Sequence, residues 1–490
     1  MNFLCIDVGT TGCKCQLFSH DGSILEYVFK EYDLKRIDGC NYVDVDGIWE
    51  HTFNMIRQVA KNYTVDSISI SSFGESFVLL DKDDNVLCYP MLYTDPRGED
   101  EAFEMIRCFG EEKCYQITGV IPHSMYSISK ILWMKKHYPR LYEKADKVML
   151  ICDYLGYLLT GQRVIDYSLA ARTGAFDVKK LQFSKEILNA LDVDERLFST
   201  AKRVGSIVGN ILPEIKKALH IQNEPKLILG SHDQICTALG AGVLSVGDAV
   251  DGLGTVECIT ALFDGKEADV EMGRQGYPCV PYAIDGLYCT YILNYSSGSI
   301  INWMRKKIMH GYKGEENSFF EYIEKNITSA PSGILSLPYF SGAATPYQDS
   351  SAKGAIVNLT TETTDFMMYQ SLLEGTAMEM RLNAEVVGRY ALNIKNAVVT
   401  GGGANSDKWL QIKANIQNIP LKTLRSSEGG LCGLAMLSAV AMGTAETLVH
   451  AREIFVQYDE EYIPDAAAHQ AYATQYEKYK KLYKTIKEMF

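Results

Sequence analysis

The stretch that decides the fold is residues 7–12, with the sequence DVGTTG. It lies between two short apolar segments, residues 3–6 and 15–19, which predict β-strands. A turn with two glycines allows a close approach of the backbone to a ligand, and its amides and hydroxyls can hold phosphate oxygens. The carboxylate of Asp7 can reach a phosphate-bound Mg²⁺ directly or through water. The alternative interpretation is an ordinary hairpin turn.

A second turn repeats this pattern in the other half of the chain. Gly254 and Thr255 match Gly9 and Thr10, and residues 262–263 match residues 17–18, all at an offset of 245. The repeat predicts two related domains, each opening with a hairpin, which we place at residues 1–245 and 246–490. Strands that lead into amphipathic helices predict α/β sheets covered by helices.

Composition excludes several classes of protein. The 490 residues include 48 Lys and Arg against 61 Asp and Glu, a net charge of −13. Nucleic-acid binding normally requires a basic surface, so no nucleic-acid partner is expected. The sequence has no basic leader and no apolar run of about 18 residues, so we expect neither secretion nor a membrane partner. The 13 cysteines then indicate reduced thiols in the cytoplasm.

A helix is expected after the first three strands. Asp46 can cap it, and four apolar residues at intervals of three or four predict its buried face: Trp49, Phe53, Ile56 and Ala60.

A glycine-rich turn lies in the second half, at residues 399–405, VTGGGAN. It follows an apolar strand and precedes a helix that carries Trp409, so a ligand can lie against its backbone at a helix N-terminus. The Walker pattern is absent, since no Gly-Lys-Ser/Thr follows. A flexible turn without a ligand is the alternative.

Asp233 leaves the C-terminal end of the apolar strand at residues 227–230, the end that faces the ligand crevice in α/β sheets. A carboxylate there can take the proton of an attacking substrate hydroxyl, and Gln234 can bond to neighbouring hydroxyls. The alternative is a helix cap. For the adjacent His232 we favour a structural role.

Two further carboxylates, Glu75 and Asp95, follow strands within residues 71–97. Each can accept two hydrogen bonds from a polyhydroxylated ligand, although a solvated turn is an equal alternative.

Together these pieces resemble the FGGY family of carbohydrate kinases over nearly the whole chain. The motifs that carry the resemblance are residues 7–11, 93–97, 153–155, 159–161, 166–168, 233–234, 254–255, 337–339 and 401–405, with Gly342, Pro346, Trp409 and Gln411. The family often has Trp where Tyr93 stands.

The resemblance implies an α/β fold with two actin-like, ribonuclease H-like domains, mixed sheets flanked by helices, and a nucleotide cleft between them. It implies ATP and Mg²⁺ as cofactors, substrate binding and the base in the first domain, and most of the ATP site in the second. The implied residues are Asp233 as general base; Glu75, Asp95, Tyr126 and Gln234 at the substrate; Gly9, Thr10, Thr11, Gly254 and Thr255 at the phosphates; Gly402, Gly403 and Asn405 near the adenosine; and Asp7 at the metal.

Two departures bear on the substrate. Residues 342–344 read Gly-Ala-Ala where many members carry Gly-Glu-Arg. At Gly74-Glu75, glycerol kinases carry Arg-Glu and xylulose kinases carry Met-His. We expect a ketopentose such as xylulose, with glycerol or another polyol, a deoxy sugar or a sugar acid as alternatives.

A different class of function is a non-catalytic ATP-binding module of the same fold, with a regulatory or chaperone-like role. Such a module has no need of Asp233, Gln234 or the polar cluster of Glu75 and Asp95, so their presence favours an enzyme. A small sugar or polyol is the expected partner, and a homodimer is left open.

Overall fold

The computed structural model describes residues 1–309, 312, 314, 318–328, 330–426 and 428–490. Contacts divide the chain into two compact units. Unit 1 contains residues 1–244, 279–288 and 428–456, and unit 2 contains residues 245–278, 289–427 and 457–490. The chain therefore returns to unit 1 after crossing most of unit 2. The division of function between residues 1–245 and 246–490 stays a prediction.

The strands alternate with helices along most of the chain. They are β1 Asn2–Val8, β2 Gly12–Ser19, β3 Ile24–Glu31, β4 Lys35–Ile37, β5 Cys40–Tyr42, β6 Ser67–Ser72, β7 Phe77–Leu80, β8 Val86–Cys88, β9 Lys147–Leu150, β10 Val164–Asp166, β11 Phe176–Asp177, β12 Gln182–Phe183, β13 Thr200–Lys202, β14 Ile207–Asn210, β15 Lys226–Ile228, β16 Asp248–Leu253, β17 Glu257–Phe263, β18 Val280–Pro281, β19 Tyr288–Asn294, β20 Leu335–Leu337, β21 Ala355–Val357, β22 Asn396–Thr400, β23 Leu421–Leu424 and β24 Tyr458–Tyr462.

The helices are α1 Val45–Asn62, α2 Glu99–Phe109, α3 Glu111–Thr118, α4 Ser127–His137, α5 Pro139–Tyr142, α6 Ile151–Thr160, α7 Tyr167–Ala171, α8 Lys185–Ala190, α9 Pro213–Leu219, α10 Asp233–Gly240, α11 Val270–Arg274, α12 Gly298–Lys307, α13 Phe319–Asn326, α14 Asp365–Val387, α15 Asp407–Gln417, α16 Gly429–Ala441, α17 Leu448–Phe455 and α18 Ala466–Ile486. Among the described residues, no helix combines the length and the apolar character needed to cross a membrane.

The main sheets of the two units share one strand order. In unit 1 the order is β3-β2-β1-β6-β15-β14, and the sheet of unit 2 contains β19-β17-β16-β22-β23-β24. In both sheets the third, fourth and fifth strands are parallel to one another. The second strand is antiparallel to the third, and the sixth is antiparallel to the fifth. The predicted fold class, α/β with two mixed-sheet domains, is confirmed.

The helix predicted after the first three strands is α1, but the predicted buried face is wrong. Its buried side chains are Val45, Ile48, Thr52, Met55, Ile56 and Val59. Of the predicted residues only Ile56 is buried, while Trp49, Phe53 and Ala60 are half-buried. The rings of Trp49 and Phe53 are in contact at a centroid distance of 5.6 Å and are tilted by 60°. The compact aliphatic side chains fill the interior, whereas the two large rings lie at its rim. The N-cap is Asp44 and not the predicted Asp46.

Two helices of unit 1, α10 and α16, pack with their backbones in direct contact. A Cβ atom at Gly240 would lie 1.8 Å from the carbonyl oxygen of Gly429, and one at Gly433 would lie 2.0 Å from that of Cys236. No side chain larger than hydrogen fits at either position. The contact therefore fixes the first residue of α10, Asp233, relative to the first turn of α16.

We expect Gly240→Ala and Gly433→Ala each to destabilise the protein by about 3 kcal/mol or more, because the added methyl group forces the two backbones apart. Thermal unfolding followed by circular dichroism measures the loss. Gly430→Ala, in the same helix, is the matched control: its Cβ would meet its nearest atom at 3.6 Å. Equal unfolding temperatures for Gly433→Ala and Gly430→Ala would contradict the prediction.

Candidate active site

Asp233 lies at the start of α10, five residues after the end of β15. Its carboxylate accepts a hydrogen bond from the backbone N–H of Gln234 at 2.6 Å, and Nε2 of His232 lies 3.3 Å from its Oδ1. The N-cap position of the helix is held by His232, so Asp233 does not cap α10 from that position. Gln234 follows in the first helical turn and is half-buried.

The surroundings of Asp233 favour its neutral form. The side chain is half-buried, with 32% of its surface exposed. Desolvation is the largest cause of the raised pKa of its carboxyl, about 7, and the negative charge of Asp7 raises it further. The hydrogen bond from Gln234 opposes this rise, and the charges of Glu75 and Arg172 act in opposite directions. A carboxyl with a pKa near neutrality can both accept and release a proton at physiological pH.

Asp7 is the penultimate residue of β1 and pairs with Ser71 across the parallel strand β6. The hydroxyl of Ser71 donates to its Oδ1 at 2.6 Å. Burial raises the pKa of Asp7, and the hydrogen bond from Ser71 limits that rise. A Cβ atom at Gly430 would lie 3.7 Å from the Asp7 carboxyl carbon. The first turn of α16 therefore brings a side-chain-free surface to this carboxylate, beside the ion pair of Lys14 and Glu428 at 2.8 Å.

Glu75 and Tyr126, both predicted at the substrate, meet through a residue that we did not predict, Arg172. The guanidinium of Arg172 forms an ion pair with Glu75, and the exposed fractions of the two side chains are 7% and 5%. The same guanidinium lies 5.2 Å from the ring centroid of Tyr126. A Cβ atom at Gly74 would meet Arg172 and His232, both at 3.2 Å, so the small residue leaves room for this packing.

Tyr93 belongs to the same region of unit 1. Burial raises the pKa of its hydroxyl, and the negative charges of Glu75 and Asp233 raise it further. Its side chain is exposed, at 37%, whereas Tyr126 is buried. The sequence had marked Tyr93 as a family motif position without placing it at the substrate.

His232 is buried, and burial holds its pKa well below the usual value, with the charge of Arg172 acting in the same direction. The imidazole is therefore neutral at pH 7; the structural role of His232 stays a prediction.

Asp95, the fourth residue predicted at the substrate, is bound by Arg97. The guanidinium donates from Nε to Oδ1 at 2.8 Å and from one terminal nitrogen to Oδ2 at 2.6 Å. Burial raises the pKa of Asp95, but the hydrogen bonds and charge of Arg97 outweigh it, and the pKa lies below the usual value. Beneath this pair, Nζ of the buried Lys130 donates to the carbonyl of Asp95 at 2.8 Å. The carboxylate of Asp95 thus has an internal partner.

A buried network supports the segment that precedes Asp233. The carboxylate of Asp166 accepts hydrogen bonds from the hydroxyls of Ser168 at 2.7 Å and Ser231 at 2.8 Å, and from the backbone N–H of Ser168. Burial raises the pKa of Asp166 to about 6. Ser231 precedes Asp233 by two residues, so this network holds the approach to α10 in place.

The turn at residues 9–11 is fastened within unit 1. Gly9 N–H donates to the Gly12 carbonyl at 2.9 Å, and the hydroxyl of Tyr32 donates to the Gly9 carbonyl. The backbone N–H of Tyr32 also donates to the Thr11 carbonyl at 3.2 Å. Thr10 lies between these fastened residues.

In unit 2 the two glycine-bearing turns lie side by side, because β16 and β22 are parallel neighbours and each turn follows one of them. Gly401 has a φ of +87°, and a Cβ atom there would lie 2.8 Å from the Leu253 carbonyl oxygen. A Cβ atom at Gly403 would collide with the side chain of Leu253 at 2.4 Å. The structure thus brings Gly254, Thr255, Gly402, Gly403 and Asn405 to one edge of the unit 2 sheet.

A buried ion-pair cluster, absent from the sequence expectations, lies beneath the turn at residues 254–255. Nζ of Lys413, on α15, is 2.8 Å from a carboxylate oxygen of Asp251 and also pairs with Glu257. The three side chains are fully buried, and Ser297 donates to Glu257 at 3.1 Å. Burial raises the pKa of Glu257 to about 7, against the opposing charge of Lys413. Spacing alone gives no signal for this cluster, since its members are 6 and 156 residues apart.

The residues around Asp7 fit a hydrated Mg²⁺. This ion prefers oxygen ligands and usually takes one or two carboxylates, with water and substrate phosphates completing its coordination. Asp7 supplies a carboxylate that accepts a hydrogen bond from Ser71 at Oδ1, and the backbone of Gly430 lies beside it without a side chain. Across the described residues, no group of three His, Cys, Asp or Glu side chains forms a protein-only metal site.

Comparison with known proteins gives matches to both halves of the chain. The model of the FGGY family of carbohydrate kinases, N-terminal domain, matches residues 2–240, and that of the C-terminal domain matches residues 254–442. The xylulose kinase of Bacillus subtilis is 26% identical over 493 residues, covering 99% of this chain and 97% of that protein.

Relatives named for other substrates match almost as well. The gluconokinase of Bacillus subtilis is 24% identical over 455 residues, covering 90% of this chain and 88% of that protein. The glycerol kinase of Thermococcus onnurineus is 26% identical over 471 residues, covering 92% and 91%. The matches therefore leave the substrate undecided within the family.

Solved structures share the fold over the full length. Ligand-bound xylulose kinase from Lactobacillus acidophilus has a TM-score of 0.90 at 24% identity and covers 99% of this chain and 98% of that one. Plasmodium falciparum glycerol kinase with ADP has a TM-score of 0.87 at 18% identity, covering 97% of each chain. With both family models matched in order, this chain belongs to the FGGY family of carbohydrate kinases and is a phosphotransferase rather than a non-catalytic module.

Proposed function

We propose that this kinase transfers the γ-phosphate of ATP to a hydroxyl of an uncharged small sugar or polyol, most simply a ketopentose such as xylulose, with Asp233 as general base. The observation that carries the proposal is the position of Asp233: it begins α10 after the parallel strand β15, and the backbone N–H of Gln234 holds its Oδ1 at 2.6 Å. The raised pKa of its carboxyl, about 7, is consistent with this role. Phosphoryl transfer needs a positioned base and stabilisation of phosphate charge more than covalent chemistry.

The role of base follows from the balance of charges at Asp233. With a pKa near 7, a large fraction of the carboxyl is ionised at physiological pH and can take the hydroxyl proton of the substrate through Oδ2. Oδ1 is held by the N–H of Gln234, which fixes the carboxylate in one orientation. Gln234 has an amide side chain that can bond to a neighbouring substrate hydroxyl.

The charges around Asp233 favour a neutral substrate over a sugar acid. Asp7 and Glu75 both act on Asp233 as negative charges, so the carboxylate of a sugar acid would add a third repulsive charge. Arg172, the cation that acts on the same carboxyl, is already paired with Glu75. Two kinds of relative, xylulose kinases and glycerol kinases, are named for uncharged substrates. Glu75, Tyr126 and Gln234 then contact hydroxyls, and Asp95 acts through its bond to Arg97.

ATP binding is assigned to the two sets of glycine-bearing turns, by analogy with the relative solved with ADP. We assign the phosphates to Gly9, Thr10, Thr11, Gly254 and Thr255, the adenosine to Gly402, Gly403 and Asn405, and Mg²⁺ to Asp7. When bound with the nucleotide, Mg²⁺ would neutralise phosphate charge. Residues 1–245 would then supply the base and substrate contacts, and residues 246–490 most of the nucleotide site.

Replacement of the base tests the mechanism. We expect Asp233→Asn to lower sugar-dependent ADP release by about 10²- to 10⁴-fold, the usual contribution of a general base. For the unmodified protein, kcat/KM should rise with pH through about 7, because the base acts only when deprotonated.

Asp153→Asn is the control for this pH profile. Asp153 is buried on α6, and burial raises its pKa to about 7 as well, but its carboxylate accepts a hydrogen bond from Ser199. If the acidic limb of the profile disappears in Asp153→Asn and persists with full turnover in Asp233→Asn, Asp233 is not the base.

A substrate panel tests the charge argument. With saturating Mg²⁺-ATP we expect kcat/KM to be highest for xylulose, and gluconate to react at least about tenfold less well, a difference of about 1.4 kcal/mol in transition-state binding. Glycerol and a deoxy sugar complete the panel, and ADP release without sugar sets the baseline. A preference for gluconate would show that the negative charges around Asp233 do not select the substrate.

Arg172 is expected to position Glu75 and to lower the pKa of Asp233. Arg172→Met should raise KM for the sugar by about tenfold and move the acidic limb of the pH profile to higher pH, because a positive charge that opposes protonation is lost. Loss of one partner of a buried ion pair should also destabilise the fold by about 3–5 kcal/mol.

The double variant Arg172→Met/Glu75→Gln separates these effects. It removes both charges, so it should regain most of the stability without regaining the low KM. An unchanged KM and pH profile in Arg172→Met would contradict the positioning role.

A further inference from the structure

A surface groove in unit 1, outside the candidate active site, has an unusual lining. It has a volume of about 870 Å³ and lies between the end of β3, one face of α1 and the end of α9. Six of its lining residues are Lys30, His51, Asn54, Arg57, Lys61 and His220. We call it the basic groove. Its volume is within the roughly 300–1,000 Å³ of small-molecule sites.

The charge of the basic groove is opposite to that of the protein. The chain has a net charge of −13, yet the groove is lined by three permanent cations, two imidazoles and no acidic side chain. In the part of the chain that the structure describes, Lys30, Arg57 and Lys61 make no ion pair with a carboxylate. The three cations are exposed, so water and salt screen their mutual repulsion, and a bound anion would supply the missing counter-charge.

The geometry of α1 explains how the cations come together. His51, Asn54, Gln58 and Lys61 recur at intervals of three or four residues and lie on a face of α1 that borders the buried one. Arg57 is held on this helix by a hydrogen bond to Asn54 at 2.8 Å. Arginine and lysine beside amide groups are the side chains that bind phosphate oxygens.

The basic groove is connected to the turn at residues 9–11. The ring of His51 stacks on Tyr32 at a centroid distance of 6.1 Å, and the hydroxyl of Tyr32 donates to the Gly9 carbonyl. Lys30 pairs with Cys13, directly after the turn, in the β2–β3 register. A ligand that orders Lys30 and His51 therefore restrains residues on both sides of this turn.

We propose that the basic groove is a regulatory site for a small phosphorylated anion, whose binding restrains the turn at residues 9–11. The groove is separate from the residues proposed for catalysis, so this binding does not depend on which sugar is the substrate.

Hydrogen–deuterium exchange of the full-length protein tests the proposal, with inorganic pyrophosphate as the probe at about 0.1 M salt. Exchange at residues 51–62 reports on the groove itself. Exchange at residues 7–14 reports on the turn, which is also proposed to bind phosphate directly, so restraint from the groove requires that the triple variant below also raise the concentration that half-protects residues 7–14; an unchanged concentration there would overturn the coupling to the turn. We expect both segments to be protected in the unmodified protein. In the triple variant Lys30→Gln/Arg57→Gln/Lys61→Gln, the pyrophosphate concentration that half-protects residues 51–62 should rise at least tenfold.

The matched control is Arg140→Gln/Lys144→Gln/Lys202→Gln, which removes the same charge from exposed positions of unit 1. It should behave as the unmodified protein does. The proposal is overturned if residues 51–62 are not protected, if the triple variant is protected at the same concentration, or if the control loses as much protection.

The single variant Arg57→Glu provides a second test if the triple variant is unstable, and it should show the same rise in half-protecting concentration. AMP and ribose 5-phosphate as further probes distinguish a nucleotide from a sugar phosphate: the stronger binder identifies the class. If protection of residues 51–62 persists unchanged in Arg57→Glu, the anion does not bind in the groove.

Discussion

The close contact between α10 and α16 is the constraint on which the candidate site depends. At Gly240 and Gly433 the backbones approach so closely that only hydrogen fits between them. Because Asp233 begins α10 and Gly430 lies in the first turn of α16, this contact also sets the distance between the proposed base and Asp7. A small change in the crossing of the two helices would move Asp233 relative to Asp7, although neither carboxylate takes part in the contact.

A second feature of the candidate site regions is that several carboxyl groups are shielded from water. Burial is the largest cause of the raised pKa of Asp7, Asp233 and Glu257. For Asp233, a folded-state pKa of about 7 against 3.8 means that ionisation disfavours folding. This cost is absent below pH 3.8, grows between pH 3.8 and 7, and is fully present above pH 7. The protein thus gives up stability at the pH where the carboxylate is needed.

The sequence could predict features whose residues are close together in the chain, but not contacts between residues that are far apart in it. The hairpin turn at residues 7–12 and its echo at residues 254–255 are local patterns, and they led to the correct fold class. The buried face of α1 was wrong because periodicity does not distinguish the rim of a core from its centre. Arg172 was missed because its partner Glu75 is 97 residues away. Lys413, on α15, was missed because its partners Asp251 and Glu257 lie on β16 and β17, far away in the sequence. Long-range pairing of charges has no local periodicity from which it could be read.

The return of residues 428–456 to unit 1 has a consequence for synthesis of the protein. Unit 1 begins with the first strand, but α16 and α17 leave the ribosome only after nearly all of unit 2. Until then the apolar surface that receives them, including Phe3 and Phe18, which contact Phe455, has no cover from this chain. Domains that are contiguous can fold in the order in which they emerge. Here unit 1 is the first to be started but is completed late. During synthesis its incomplete form exposes an apolar surface that a chaperone could bind.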